Sequence, residues 1–322
     1  GGARVVDSWC RGEPVGPSDA ASNLAERLVS SGMFHPVVEP SATPENRHRS
    51  DDEAMASLVT VVIPVKDDPE GLSATLEALH TPGEPQPRAV IVVDDGSQQR
   101  LADLPALYSA RVIRHAENRG PAAARQAGLD AVETELVAFI DAGVIVRPDS
   151  LVALATVLER ERLAAIAPRI VAEPSTRPTL LSRYEAHRSP LDLGPTGGLV
   201  GPGRQVPYVP TACLLARAAA IREIGGFDSA LRFGEDVDLI WRLVARRADG
   251  VRYLPAITAG HPARPSVLAM AVQRLGYGSA AGPLFRRHGT AVAPVRTSWW
   301  SLAIASLLMA GRPGAASVVW IW

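Results

Sequence analysis

Four polar clusters in the sequence each follow a run of apolar or β-branched residues: Lys66-Asp67-Asp68, Asp94-Asp95-Gly96-Ser97, Asn118-Arg119-Gly120 with Arg125 shortly after, and Asp141. Carboxylates at the end of a buried strand can accept hydrogen bonds from a nucleobase or a ribose. Asp94 and Asp95 are candidates for that role, and the plainer reading of the same four residues is a strand exit with an Asx-turn and a glycine at positive φ. Arg125 falls in the first turns of a helix opened by Pro121, where a guanidinium and the helix N-terminus together favour an anion such as a diphosphate. The alternative there is Asn118 as a helix cap and Arg125 as a solvated charge. Asp141, emerging from Phe139-Ile140, is suited to a divalent cation that neutralises phosphate oxygens.

A second acidic pair, Glu235-Asp236, precedes Val237, Ile240, Trp241 and Val244, whose spacing predicts a helix from about Asp236 to Arg247. Acids at a helix N-terminus are ordinary caps. The same dipole keeps a carboxylate ionised, and an ionised carboxylate facing a cleft can take a proton from a substrate hydroxyl.

The elements that must position these residues alternate between short strands and helices. Strands are expected at Val59–Val65, Ala89–Val93, Arg111–Arg114, Leu136–Ile140 and Ala164–Ile170, with helices at Gly71–Leu79, Leu101–Leu107, Pro121–Ala131 and Pro148–Arg160. Near-continuous apolar strands separated by crossover helices predict an α/β, doubly wound, mostly parallel sheet with helices on both faces. Ligands in such sheets bind beyond the carboxyl ends of the strands, which is where the polar clusters fall. No G-x-G-x-x-G follows any strand, which argues against a pyrophosphate-cradling dehydrogenase. Residues Leu191 to Gly203, rich in Gly and Pro, are expected to form a flexible loop that orders when a donor binds.

With 322 residues the chain can bury a substantial core. A formal net charge of -1 gives no basic face for nucleic-acid phosphates, so nucleic acid is excluded as a partner class. Cys10 and Cys213 match neither a disulfide framework nor a zinc spacing, which points to a reducing, cytoplasmic setting. No charged start with an apolar run marks a secretory signal. Residues 1–56 are expected to be the tail of a small module, with a helix at Ala21–Ser31 and a linker at Glu39–Glu53; residues 57–290 form the main domain. The remainder, 291–322, is an apolar segment whose run Trp299–Ala310 is too short to span a bilayer. It is either a core helix or an interfacial element at the inner face of the membrane.

Together, Val61-Val62-Ile63-Pro64-Val65, Val92-Val93-Asp94-Asp95-Gly96-Ser97, Asn118-Arg119-Gly120-Pro121 with Arg125, Phe139-Ile140-Asp141, Gly225-Gly226-Phe227-Asp228 and Gly234-Glu235-Asp236-Val237-Asp238-Leu239 resemble the family 2 glycosyltransferases of GT-A fold. The resemblance covers roughly Leu58 to Pro283. It implies an inverting transfer from a nucleotide-sugar donor to an acceptor hydroxyl, with Asp236 as catalytic base beside Glu235. It implies donor binding at Pro64, Val65, Asp67, Asp94, Asp95, Asn118, Arg125 and Asp141. A divalent cation, Mg²⁺ or Mn²⁺, is implied at Asp141, with His261 as a further ligand. Gly143 departs from the family's metal motif, which usually carries a second aspartate there. Within the family the N-terminal extension, the Asn118–Arg125 run and Tyr277–Leu284 followed by Arg286-Arg287-His288 are similar to the mycofactocin-system branch. That similarity implies a peptide-derived redox cofactor precursor as acceptor and UDP-glucose as donor. The alternatives are a family 2 enzyme of cell-wall or exopolysaccharide synthesis, and a nucleotide-sugar binder that has lost turnover.

Overall fold

A computed structural model of the chain describes residues 2–11, 13–16, 18–30, 49–98, 101, 106, 108–173, 189–246, 250–262, 275–292, 306–307 and 309–311. The chain divides into two compact units, Gly1–Ala280 and Ala281–Trp322. The first unit contains helices α1 (Gly2–Cys10), α2 (Asp19–Ser30) and α3 (Arg49–Ser57), and then the elements of the sheet. These are β1 (Val59–Val65), α4 (Pro69–Leu79), β2 (Ala89–Asp94), β3 (Arg111–Arg114), α5 (Pro121–Asp130), β4 (Leu136–Ile140), α6 (Pro148–Arg160) and β5 (Ala165–Ala172). They continue with β6 (Gly198–Leu199), β7 (Cys213–Arg217), α7 (Ala218–Glu223), α8 (Glu235–Arg246) and β8 (Val251–His261). In the second unit, α9 (Ala281–His288) leads into a 3₁₀ turn at Gly289–Ala291.

The eight strands form one sheet in the order β3-β2-β1-β4-β7-β5-β8-β6. Strands β3, β2, β1 and β4 are mutually parallel, whereas β7 runs antiparallel between β4 and β5. Strands β5 and β8 are again parallel, and the two-residue β6 closes the edge antiparallel to β8. The four predicted polar clusters therefore leave one edge of one half-sheet side by side.

Helices cover both faces because alternate residues of the central strand point opposite ways. Val59, Val61, Ile63 and Val65 of β1 share a buried core with Leu72, Leu76 and Leu79 of α4 and Leu151, Leu154 and Leu158 of α6. Each such aliphatic side chain contributes about 1.5–3 kcal/mol by leaving water. On the opposite face α5 approaches so closely that a Cβ added to Gly128 would stand 2.2 Å from Val62 Cγ1. Glycine is what allows that helix to lie against β1.

Several boundaries differ from the sequence expectation. Helix α4 begins at Pro69, two residues early, because Asp68 caps it by accepting from Gly71 N–H at 2.8 Å. Strand β5 extends to Ala172 because its outer half pairs with Thr258–His261 of β8 beyond a register shift at Pro168/Arg169. Residues Arg49–Ser57, partly assigned to the linker, form a helix that packs on α6 and β1 through Ala56. The rest of that linker (39–48), the apolar stretches 299–305 and 318–322, and most of Leu101–Leu107 lie outside the described residues. Among the described residues, no helix is long and apolar enough to cross a membrane.

Candidate active site

The strand-end loops are knitted together before they reach any cavity. Asp67, at φ 51°, donates its N–H to Ser97 Oγ at 3.0 Å, and its Oδ1 accepts from Gln98 N–H at 2.7 Å. The Gln98 amide and the Lys66 ammonium hold its pKa below the ordinary carboxylate value. Asp94 accepts from Ser97 N–H at 2.9 Å and from the Arg114 guanidinium, which also donates to the Ser97 carbonyl at 2.8 Å. Asp95 accepts from Arg119 N–H (2.9 Å), Gly120 N–H (2.8 Å) and His115 Nδ1 (2.7 Å). Asp94 and Asp95 are 2% and 4% exposed. Their oxygens are turned into the protein, where they fix the β2 and β3 exits. His115, the partner of Asp95, was not singled out from sequence, since one histidine after a short strand carries no pattern.

Next to this edge lies a cavity of about 370 Å³. Asn118, Arg125, Asp141, Glu235 and Asp236 line it, so five of the predicted positions meet there although the chain separates them widely. Pro64, Val65, Asp67, Asp94, Asp95 and His261 do not line it. Pro64 and Val65 pair with Val93 and Asp94 in the sheet. Asn118 Oδ1 accepts from Gly120 N–H at 3.0 Å, and with that bond it shapes the turn into α5.

Arg125 is the centre of the wall. Its Nη1 donates to Glu235 Oε1 at 2.9 Å and its Nη2 to Asp141 Oδ1 at 2.6 Å, while Nε is buried without a hydrogen-bond partner among the described residues. Burial opposes its charge, but Asp141 and Glu235 outweigh that effect and raise its pKa above the ordinary arginine value. In this structure the guanidinium is thus a clamp between two carboxylates, not a solvated charge and not an open anion hook. Glu235, buried and engaged by Arg125, is its counterion.

Asp236 has a different setting. It follows Gly234, at φ 79°, in the first turn of α8, and its Oδ1 accepts from Val237 N–H at 2.8 Å. The side chain keeps an edge on the cavity, but the surrounding protein and then the Glu235 charge push its pKa up to about 7. A carboxylate with that pKa can accept and release a proton near neutrality.

Asp141 keeps a third of its side chain exposed, so one oxygen remains for a cation. Its turn is tied to β8, with Ile145 and Gly260 exchanging hydrogen bonds at 2.8 Å. A Cβ on Gly143 would lie 3.5 Å from Pro262 Cγ, so the turn neighbours His261-Pro262. His261 Nδ1 lies 2.7 Å from the Pro262 carbonyl, which puts the proton on Nδ1 and leaves the Nε2 lone pair for a metal. Among the described residues no group of three or more His, Cys, Asp or Glu side chains is arranged to hold a metal. Any cation held at Asp141 would therefore have to take most of its ligands from donor phosphates, as magnesium tolerates. Gly143 sits at φ 89°, with its N–H shared between the Gly71 carbonyl (3.0 Å) and Thr75 Oγ1 (2.9 Å). That backbone region disfavours an L side chain, so glycine suits the turn at 143 as it stands.

Arg232, Phe233, Thr211 and Tyr277 also line the cavity, and none was predicted as a site residue. Arg232-Phe233 directly precedes the Gly234-Glu235-Asp236 signal, which could have pointed to it; Tyr277 opens the Tyr277–Leu284 run that carried part of the resemblance, and tertiary structure brings it to the cavity. Leu191 forms part of the wall, and its loop, expected to be flexible, carries side-chain hydrogen bonds at Asp192 and Gly194. Arg169 makes two bonds to Asp192, at 2.7 and 2.8 Å, and Tyr253 OH donates to the Gly194 carbonyl at 2.8 Å.

The description Glycosyl transferase family 2 matches residues 60–225, just over half of the chain. Over 305 residues the chain is 35% identical to the Pre-mycofactocin glycosyltransferase of Mycobacterium tuberculosis (strain CDC 1551 / Oshkosh), covering 94% of this chain and 61% of that protein. The chain thus spans less than two thirds of the length of the curated relatives it matches. Among solved structures, the mannosyltransferase PcManGT from Pyrobaculum calidifontis, in complex with GDP-Man and Mn²⁺, superposes with a TM-score of 0.59 at 16% identity, covering 92% of this chain and 85% of that one. The crystal structure of a mycobacterial protein gives 0.53 at 16% identity, covering 78% and 81%. At these identities the shared property is the GT-A fold. With its sheet, its strand-end motifs and the match over residues 60–225, the chain belongs to glycosyl transferase family 2.

Proposed function

We propose that the chain is an inverting glycosyltransferase that moves a sugar, glucose from UDP-glucose, onto a hydroxyl of a peptide-derived cofactor precursor, premycofactocin. The observation that carries the reading is the position of Asp236, a carboxylate with raised pKa on the same cavity as the Arg125–Asp141 pair. Asp236 takes the acceptor proton, the acceptor oxygen forms its bond to the anomeric carbon, and the bond from that carbon to the diphosphate oxygen breaks, so configuration inverts. Arg125 keeps Glu235 and Asp141 in place and contributes positive charge to the wall on the diphosphate side. Asp141 and His261 would hold a divalent cation, Mg²⁺ or Mn²⁺, which supplies charge neutralisation to the leaving phosphates. Asp94 and Asp95 support donor binding indirectly, by shaping the loops that carry Asn118 and Arg125 to the cavity.

The choice of acceptor is supported by the name of the Mycobacterium tuberculosis relative. Under this reading the reaction is cytoplasmic. Contact with the inner face of the membrane would fall on the apolar C-terminal segment 291–322, most of which lies outside the described residues.

The test is UDP release from UDP-glucose, with and without Mn²⁺, in the presence of premycofactocin, for the wild type and Asp236→Asn. Acceptor-dependent release that falls by about 10²–10⁴ in the variant, with UDP binding retained, is expected. UDP binding without release at any metal concentration would instead identify a binder that has lost turnover.

A further inference from the structure

The cavity wall beside Asp236 contains a contact that the reaction scheme leaves unused. Phe233 lines the cavity and is 38% exposed, and the tip of its ring lies against Gly276. A Cβ added to Gly276 would stand 2.5 Å from both Cε1 and Cζ of Phe233 and 3.0 Å from Cε2. No carbon pair tolerates that approach, so any side chain at 276 displaces the ring.

Two further observations give the contact a direction. Residues 275–279 are helical, and Gly276 is not among the glycines with positive φ. Glycine in a helix is less stable than alanine, so the backbone itself gives no reason for glycine here. The reason lies in the ring. The loop that carries Phe233 is fixed at its start, where Arg242 donates to the Ile224 and Gly226 carbonyls at 2.9 and 2.8 Å and Gln126 Oε1 accepts from Phe227 N–H at 2.8 Å. Its far end, at Arg232 and Phe233, is exposed. Tyr277, next to Gly276, also lines the cavity.

We propose that Gly276 is a specificity-determining positioning residue: by leaving room for the Phe233 ring it sets where the acceptor-side wall of the cavity stands. Phe233 stands three residues before Asp236 and lines the same cavity, so its ring borders the space that an acceptor hydroxyl occupies when it reaches Asp236. Asn118 and Asp141, which the proposed reading gives to the donor, reach the same cavity from the loops after β3 and β4. The inference rests on the reading of this cavity as the transfer site.

The experiment is a double-mutant cycle of Gly276→Ala and Phe233→Ala, read by urea denaturation and by the KM values for acceptor and donor. In the Phe233→Ala background, Gly276→Ala should raise the folding equilibrium constant about fivefold, the ordinary gain of alanine over glycine in a helix. In the wild-type background that gain should be absent or reversed. The acceptor KM should rise about tenfold in Gly276→Ala and in Phe233→Ala, with the donor KM unchanged and the double variant no worse than Phe233→Ala, because a displaced wall costs binding at the site it frames. Equal stability effects in both backgrounds would overturn the proposal, and so would an unchanged acceptor KM in Gly276→Ala. Absence of any transfer by the wild type would instead remove the functional reading, while the stability cycle would still report whether Gly276 seats the ring.

Discussion

Arg125 Nη1 lies 2.9 Å from Glu235 Oε1, a bond that joins residues 110 positions apart, both of them buried. The same guanidinium holds Asp141. Helix α5 thereby fastens the end of β4 to the start of α8. Replacing Arg125 by alanine leaves the buried Glu235 and the partly exposed Asp141 without a counterion, and the loss of stability should reach about 3–5 kcal/mol. Urea denaturation at neutral pH measures it, and a loss below about 1 kcal/mol would mean that the clamp is not formed.

The raised pKa of Asp236 has consequences of opposite sign for folding and turnover. Between the ordinary carboxyl value and about 7 the folded chain holds a proton that the unfolded chain has released, so this residue's effect is to lower stability as pH rises through that window. Turnover needs the anion, so kcat/KM should rise along an acidic limb centred near pH 7. After burial, the largest cause of the shift is the Glu235 charge, with Asp141 acting in the same direction and Arg125 opposing both. Glu235→Gln should therefore move the limb to lower pH. A pH–rate profile that stays in place would assign the limb to another group.

Asp95 accepts hydrogen bonds from three donors, and Asp95→Ala leaves Arg119 N–H, Gly120 N–H and His115 without their acceptor. A cost of about 1–3 kcal/mol is expected in chemical denaturation. The loosened β3–α5 loop should also weaken UDP binding in calorimetry. Unchanged UDP affinity in a destabilised variant would show that the loop plays no part in donor binding.

At Gly143 the obstacle to a second aspartate is the backbone. The nearest side-chain atom to an added Cβ is Pro262 Cγ at 3.5 Å, an ordinary contact, whereas φ is 89°. Gly143→Ala should cost about 1–2 kcal/mol through that conformation alone, and Gly143→Asp should cost no more, since aspartate tolerates positive φ better than alanine. A much larger loss for aspartate, measured by denaturant titration, would make crowding the cause.

Local physics alone makes part of this protein legible in its sequence. The short, β-branched apolar runs Val59–Val65 and Leu136–Ile140 read as strands covered on both faces, and the 3.6-residue spacing of Val237, Ile240, Trp241 and Val244 defines α8 and leaves Glu235 and Asp236 at its start. Asn118, Arg125 and Asp141 were legible as strand-end residues for the same reason, because ligands in such sheets meet the carboxyl ends of the strands. The use of each charge was set only in the packed chain. Asp94 and Asp95 look like ligand-facing carboxylates in sequence, and the local Asx-turn from Ser97 N–H to Asp94 was legible there too, yet Arg114, His115 and the Arg119 and Gly120 amides converge on them only once β2 and β3 lie side by side. Likewise Arg125 becomes a clamp only when α8 is placed against α5, and Gly276 meets Phe233 across more than forty residues of sequence. Propensity and periodicity act over a few residues. Pairings over such separations depend on which surfaces the packed sheet brings together, and no local pattern encodes them.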